Sequence, residues 1–271
     1  YCHRCSEGNP QDFTIPQVIE HTAGIDLLFK RHVISKDLKF LGGHTTVDGC
    51  VSSGFCHEYH ANCPAIFIGT YDFPPDEIPK APKLNWAALP WIGPLVKVLQ
   101  VINGVIEDNC YDAMLLVKQM EEKTMGDENF WSSFYMPCAA AREEHGLPSR
   151  FDFRKHTPEV VSTLYDIGLG WAEEHWESLS DTQKRVMAVK GFCLIGMGGS
   201  TNGVCQTAIY AHHYEKTKVL REELVASGVE CGPRIINLLA GESCGGISAC
   251  FMANLQDLDQ AGKLHLILEK E

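Results

Sequence analysis

The 271-residue sequence predicts a mainly α, α-rich α+β fold: a multi-helix globular domain with a small disulfide-pinned β or irregular subregion near residues 38–73. Three observations carry that expectation. Apolar residues recur at helical spacing through most of the second half. Strand-like runs rich in Gly, Thr, Val and Cys are short and gather between Leu38 and Phe73. Hydrophobic residues make up 45% of the chain and charged residues 21%, enough for a sizeable core and unlike a disordered or collagen-like composition.

The first helix is expected over Pro16 to Phe29, because Thr14 and Gln17 have capping-box spacing and Pro16 suits a first helical turn. From Leu38 to Phe73 the residues Phe40, Val47, Val51, Ile66 and Ile68 stand in short runs bounded by glycines, with Cys50, Cys56 and Cys63 available as pins. Prolines at 74, 75, 79, 82, 90 and 94 then punctuate a connector that suits neither a long helix nor a central strand. Residues 1–82 and 83–271 are therefore expected as an N-terminal Cys-rich region and a helical core region packed into one unit. Leu84 to Ile106 has Lys97 as its only charge, yet its prolines, Asn, Gln and mid-span Lys favour a buried helix from Leu95 into Glu107 over a membrane span.

A helix over Tyr111 to Glu122 would turn Tyr111, Met114, Leu115 and Val117 inward. Asp127 would cap a short helix carrying Phe130, Trp131, Phe134 and Tyr135, ended by Pro137. Thr157-Pro158-Glu159 marks another start, with Val160, Leu164, Ile167 and Trp171 on one apolar face. Ser180-x-x-Gln183 opens a further helix, followed by helices over Thr207 to Ala226 and Gly246 to Leu258. At an offset of 43 residues, Gly198-Gly-Ser-Thr-Asn-Gly-Val204 echoes Gly241-Glu-Ser-Cys-Gly-Gly-Ile247, each after an apolar run and before a helix-like segment.

Twelve cysteines are spread along the chain, an even number that predicts a secreted, disulfide-stabilised protein whose signal peptide has been removed before Tyr1. Their pairing is not readable from the sequence, and Cys193 and Cys250 also suit buried thiols in their apolar surroundings. The net charge of −12, with no run rich in Lys or Arg, disfavours unaided binding to nucleic acid or to an anionic membrane.

Two segments carry chemistry. Cys56-His57-Glu58-Tyr59-His60-Ala61-Asn62-Cys63 concentrates ligand-type side chains, but its spacing is poor for zinc, since a metalloprotease H-E-x-x-H needs one more residue before its second histidine. A loop pinned at Cys56 and Cys63 would instead display His57 and His60 as acid/base groups near neutral pH. The second is Gly241-Glu242-Ser243-Cys244-Gly245, a G-x-S-x-G motif between a strand-like run from Ile235 to Ala240 and a helix from Gly246. In these residues the chain resembles the nucleophile elbow of α/β-hydrolase esterases, which often reads Gly-Glu-Ser-Ala-Gly-Gly. That resemblance implies Ser243 as a nucleophile. It departs from the family in the residues after it, since only 28 follow Ser243, with His265 their single histidine, and a succession of βα units before the motif is not evident. A bland alternative makes Ser243 a helix N-cap and places Cys244 in a disulfide.

Other candidates are structural. Gly196-x-Gly198 with Ser200 lacks the Lys-Ser/Thr of a phosphate loop, and Thr201 stands where a dinucleotide fingerprint has its third glycine. His175 falls on an apolar helix face, one of His212 and His213 must face away from the other, and His145 sits near a helix end. The pairs Glu121-Glu122, Glu173-Glu174 and Glu222-Glu223 read as solvated helix faces. The expected function is that of a secreted enzyme acting on a small molecule through His57 and His60, by acid/base or metal-assisted chemistry, with neither reaction type nor cofactor specified. The alternatives are a non-enzymatic extracellular ligand-binding or interaction protein and a serine hydrolase using Ser243.

Overall fold

The computed structural model describes residues 63–70, 112–124, 129–150 and 152–263. Four strands form one parallel sheet in the order β2-β1-β3-β4: β1 (Ala65–Gly69), β2 (Trp131–Tyr135), β3 (Phe192–Gly196) and β4 (Ile236–Gly241). The helices are α1 (residues 112–124), α2 (Cys138–Glu144), α3 (Pro158–Ser178), α4 (Asp181–Lys190), α5 (Gly203–Ala226) and α6 (Cys244–Gln260). This corrects the mainly α expectation: the described residues form an α/β architecture with strands and helices alternating along the chain.

The sheet reads as it does because β1 and β3 are buried on both faces. Ala-Ile-Phe-Ile-Gly and Phe-Cys-Leu-Ile-Gly are continuous apolar runs, the pattern a covered parallel strand requires. Ile66, Ile68, Phe192 and Leu194 enter a core with Leu164 and Ala172 of α3 and Ile209 of α5. Ala65, Phe67, Cys193 and Ile195 enter a second core with Met114 and Val117 of α1. The sheet therefore lies between helical layers. The β1 to β2 crossover runs toward one edge with α1 on one face, while the β2 to β3 and β3 to β4 crossovers run the other way with α3 and α5 on the opposite face. A fixed crossover handedness demands that arrangement.

The aromatic run at 130–135 is a strand, not the expected capped helix. Trp131 and Tyr135 pack on the α1 side and Phe134 on the α3 side, so the apparent helical spacing is two-sided strand packing. Several helix signals hold. The inward Met114 and Val117 of α1 are fully buried. Pro158 starts α3 behind an extended Thr157, and Ser180 makes the full capping box with Gln183. α4 ends at Gly191, whose φ of 76° and close approach to the Arg234 carbonyl leave no room for a Cβ. No helix among the described residues is long and apolar enough to cross a membrane. The expected helices over Pro16 to Phe29 and Leu95 to Glu107, the Leu84 to Ile106 stretch, Asp127, and the cysteines at 2, 5, 50, 56 and 110 lie outside the described residues.

Candidate functional site

In a parallel sheet the carboxyl ends of the strands, where the strand order reverses, are where ligands are bound. Here the reversal falls between β1 and β3, and four turns meet beside it: Thr70 after β1, Pro137 after β2, Met197 to Ser200 after β3 and Glu242-Ser243 after β4. Thr70 closes the β1/β3 crevice by donating its hydroxyl to the Gly198 carbonyl, and Gly199 has no room for a side chain against it.

The β4 turn is the most constrained. Glu242 N–H donates to the Gly196 carbonyl (3.2 Å), and the Glu242 carbonyl accepts from Gly245 N–H (2.7 Å) and Gly246 N–H (3.3 Å). The chain must reverse in that space. Ser243 consequently sits at φ 48° and ψ −121°, a conformation that costs a residue with a Cβ roughly 1–3 kcal/mol. Both glycines of the motif are needed for contact: a Cβ on Gly241 would stand 2.3 Å from Gly245 C, and one on Gly245 would stand 2.5 Å from the Gly196 carbonyl oxygen. A strand, a serine at positive φ and a helix thus follow one another, the order expected from the G-x-S-x-G spacing. Ser243 occupies the N-cap position of α6, as the bland alternative has it, but makes no side-chain capping bond there, and Cys244 is a thiol outside any disulfide. The Cys244 sulfur accepts the Gly199 N–H at 3.0 Å, linking the β3 and β4 turns. The βα units absent from the sequence reading are present, since three strands precede β4 in the chain.

The two echoing segments are successive turns of adjacent βα units. Gly196 and Gly241 are register partners, and Ser200 (φ 56°) and Ser243 (φ 48°) are the two non-glycine residues with positive φ among those described. Their hydroxyls are used differently. Ser200 Oγ and Thr201 Oγ1 donate to the Arg150 carbonyl at 2.7 and 2.9 Å. Arg142 spends its guanidinium on Asn202 Oδ1 (3.0 and 2.9 Å), Thr201 Oγ1 (2.9 Å) and the Pro148 carbonyl (2.6 Å). The glycine-rich β3 turn is thus a structural clasp to the segment after α2.

A second polar group was missed as a unit in the sequence. His213 Nδ1 lies 2.9 Å from the Ile209 carbonyl, His213 Nε2 lies 3.0 Å from His175 Nδ1, and His175 Nε2 lies 2.9 Å from Ser132 Oγ. A carbonyl only accepts, so His213 Nδ1 carries hydrogen, His175 Nδ1 donates to His213 Nε2, and Ser132 donates to His175 Nε2. Burial holds His175 down at about 4 and His213 well below its ordinary value, so both rings are neutral donors and acceptors. Ser132 is the second residue of β2, at the opposite end of the sheet from Ser243, and His175 and His213 are 4% and 0% exposed. The trio satisfies polar groups inside the core. His212 points outward to Glu173 at 3.1 Å, as adjacent helical positions require.

Glu121 is not simply a solvated helix residue: it accepts from Ser133 N–H (3.2 Å) and Oγ (2.8 Å), fastening α1 to β2. An open groove of about 780 Å³ lies where α3, α4 and α5 meet, lined by Trp176, Lys184, His212, Lys216, Val219 and Leu220. It uses the second half of α5, whereas Ser243 lies beside its first turn. Among the described residues no group of three or more His, Cys, Asp or Glu is placed to hold a metal. His57 and His60 lie outside the described residues, as does His265. The chain matches no known protein family, no curated protein and no solved structure, so the site rests on its own geometry.

Proposed function

We propose that this protein is a serine esterase acting on a small-molecule ester, with Ser243 as the nucleophile. The single observation behind this reading is the strained Ser243 between β4 and α6, enclosed by two glycines that tolerate no side chain and free of any capping bond. Backbone strain on a serine that contributes no cap has a purpose if it presents Oγ to a substrate. Ser243 Oγ would attack the ester carbonyl, its proton passing to an imidazole that then protonates the leaving alcohol. Water would release the acid from the acyl-enzyme by the reverse transfer. In a nucleophile elbow the oxyanion would be held by backbone amides at the positive end of the helix that follows the nucleophile.

The imidazoles of His156, His175, His212 and His213 are committed to other partners. The candidates for the base are His57 and His60, the histidines that the sequence places in its densest cluster of ligand-type side chains, because imidazole is the side chain suited to proton transfer near neutral pH. A net charge of −12 supports neutral or cationic substrates over nucleic acid. The even count of twelve cysteines is what favours a secreted location, although the seven among the described residues are thiols outside any disulfide. Hydrolysis of a panel of short-chain nitrophenyl esters tests the reading. Ser243→Ala should lower kcat/KM by on the order of 1,000-fold with folding intact, and His57→Ala or His60→Ala should do the same. Unchanged turnover by Ser243→Ala would remove the nucleophile from the proposal.

A further inference from the structure

At the opposite end of the sheet, two cysteines face each other across neighbouring strands. Cys63 precedes β1 and Cys193 is the second residue of β3, and their sulfurs lie 3.2 Å apart in the core. The parallel ladder fixes this approach: Ala65 is the register partner of Cys193, and Cys193 N–H donates to the Pro64 carbonyl at 2.7 Å. Cys63 is 7% and Cys193 1% exposed. We propose that Cys63 and Cys193 are a reversible disulfide site that staples β1 to β3, formed by exchange with a small-molecule disulfide such as oxidised glutathione. A bond requires the sulfurs to close from 3.2 Å to about 2.05 Å.

The two thiols have unequal roles. The contact between the two sulfurs holds the Cys63 thiol below its ordinary value, while burial pushes the more deeply buried Cys193 thiol up. Cys63, the more exposed of the two and placed ahead of β1, is the attacking thiol, and Cys193, within β3, is the resolving thiol. Cys63 Sγ attacks one sulfur of oxidised glutathione, whose S–S bond breaks, and the departing glutathione takes the proton that Cys63 gave up. Cys193 then attacks Cys63 Sγ, passing its proton to the second departing glutathione. Two protein thiols are oxidised and one small disulfide is reduced to two thiols. The site is independent of the esterase reading and pairs Cys63 with a strand residue instead of with Cys56.

The test incubates the folded full-length chain in glutathione buffers of increasing oxidised fraction, quenches with acid, alkylates in denaturant and maps peptides by mass spectrometry with and without reduction. The expected result is a bridged peptide whose fragments place the bond at Cys63 and Cys193. It should vanish on reduction and in Cys63→Ser and Cys193→Ser. The proposal is overturned if both residues are alkylated at the most oxidising ratio, or if Cys63 bridges to Cys50 or Cys56 while Cys193 is alkylated.

Discussion

Ser243 and Ser200 show how the same backbone conformation can serve two ends. Ser200 offsets its positive φ with a hydroxyl bond to Arg150, whereas Ser243 makes no capping bond. Ser243→Gly should therefore raise the urea midpoint by the equivalent of about 1 kcal/mol while abolishing ester hydrolysis, since glycine adopts this conformation without strain. Ser200→Gly should show no such gain, because it loses the Arg150 bond. A fall in stability for Ser243→Gly would show that no strain is held there. Gly241→Ala should cost about 1–3 kcal/mol or more, because its Cβ meets backbone and not a movable side chain. The buried histidines add a pH dependence. Their folded pKa values lie below the unfolded value near 6.5, so the unfolded chain binds more protons as pH falls. Stability is full above pH 6.5 and is lost between there and about pH 4, with His175 alone contributing about 3 kcal/mol across that window. Urea melts at pH 7 and pH 5 should show a lower midpoint at pH 5, and equal midpoints would contradict the neutral His175–His213 pair.

The starts of α3 and α4 were legible because capping is local. Ser180 and Gln183 make both reciprocal bonds that their spacing announces, and Ser180→Ala is expected to cost about 1 kcal/mol in a denaturant titration. The sheet was harder to read because burial on both faces erases alternation, leaving β1 and β3 as five-residue apolar runs that could belong to helices. β2 misled in the opposite way, since Trp131, Phe134 and Tyr135 imitate one helical face while packing on two sides of a strand. The elbow was legible at Ser243 from five residues. Its setting was not, because strand order and the approach of Gly245 to Gly196 depend on chain segments 49 positions apart. The bonds from Arg142 to Asn202 and from Ser132 to His175 likewise join distant elements, and no local pattern marks them.

At the scale of the whole molecule, the sheet separates three tasks. Its carboxyl end holds the Ser243 turn and the Arg142 clasp, its amino end holds the facing Cys63 and Cys193, and the histidine network ties α3, α5 and β2 into the core between them. Helices on both faces give the strained turn a rigid base, as a preorganised site requires. Among the described residues the seven cysteines are thiols outside any disulfide, so the core built on the sheet stands there without a disulfide. The most direct measurement is labelling of the native protein with a fluorophosphonate followed by peptide mapping. The account predicts one stoichiometric adduct, on Ser243, blocked by prior heat denaturation and absent in Ser243→Ala. An unlabelled Ser243 in protein that hydrolyses esters, or an adduct on Ser132 instead, would contradict it.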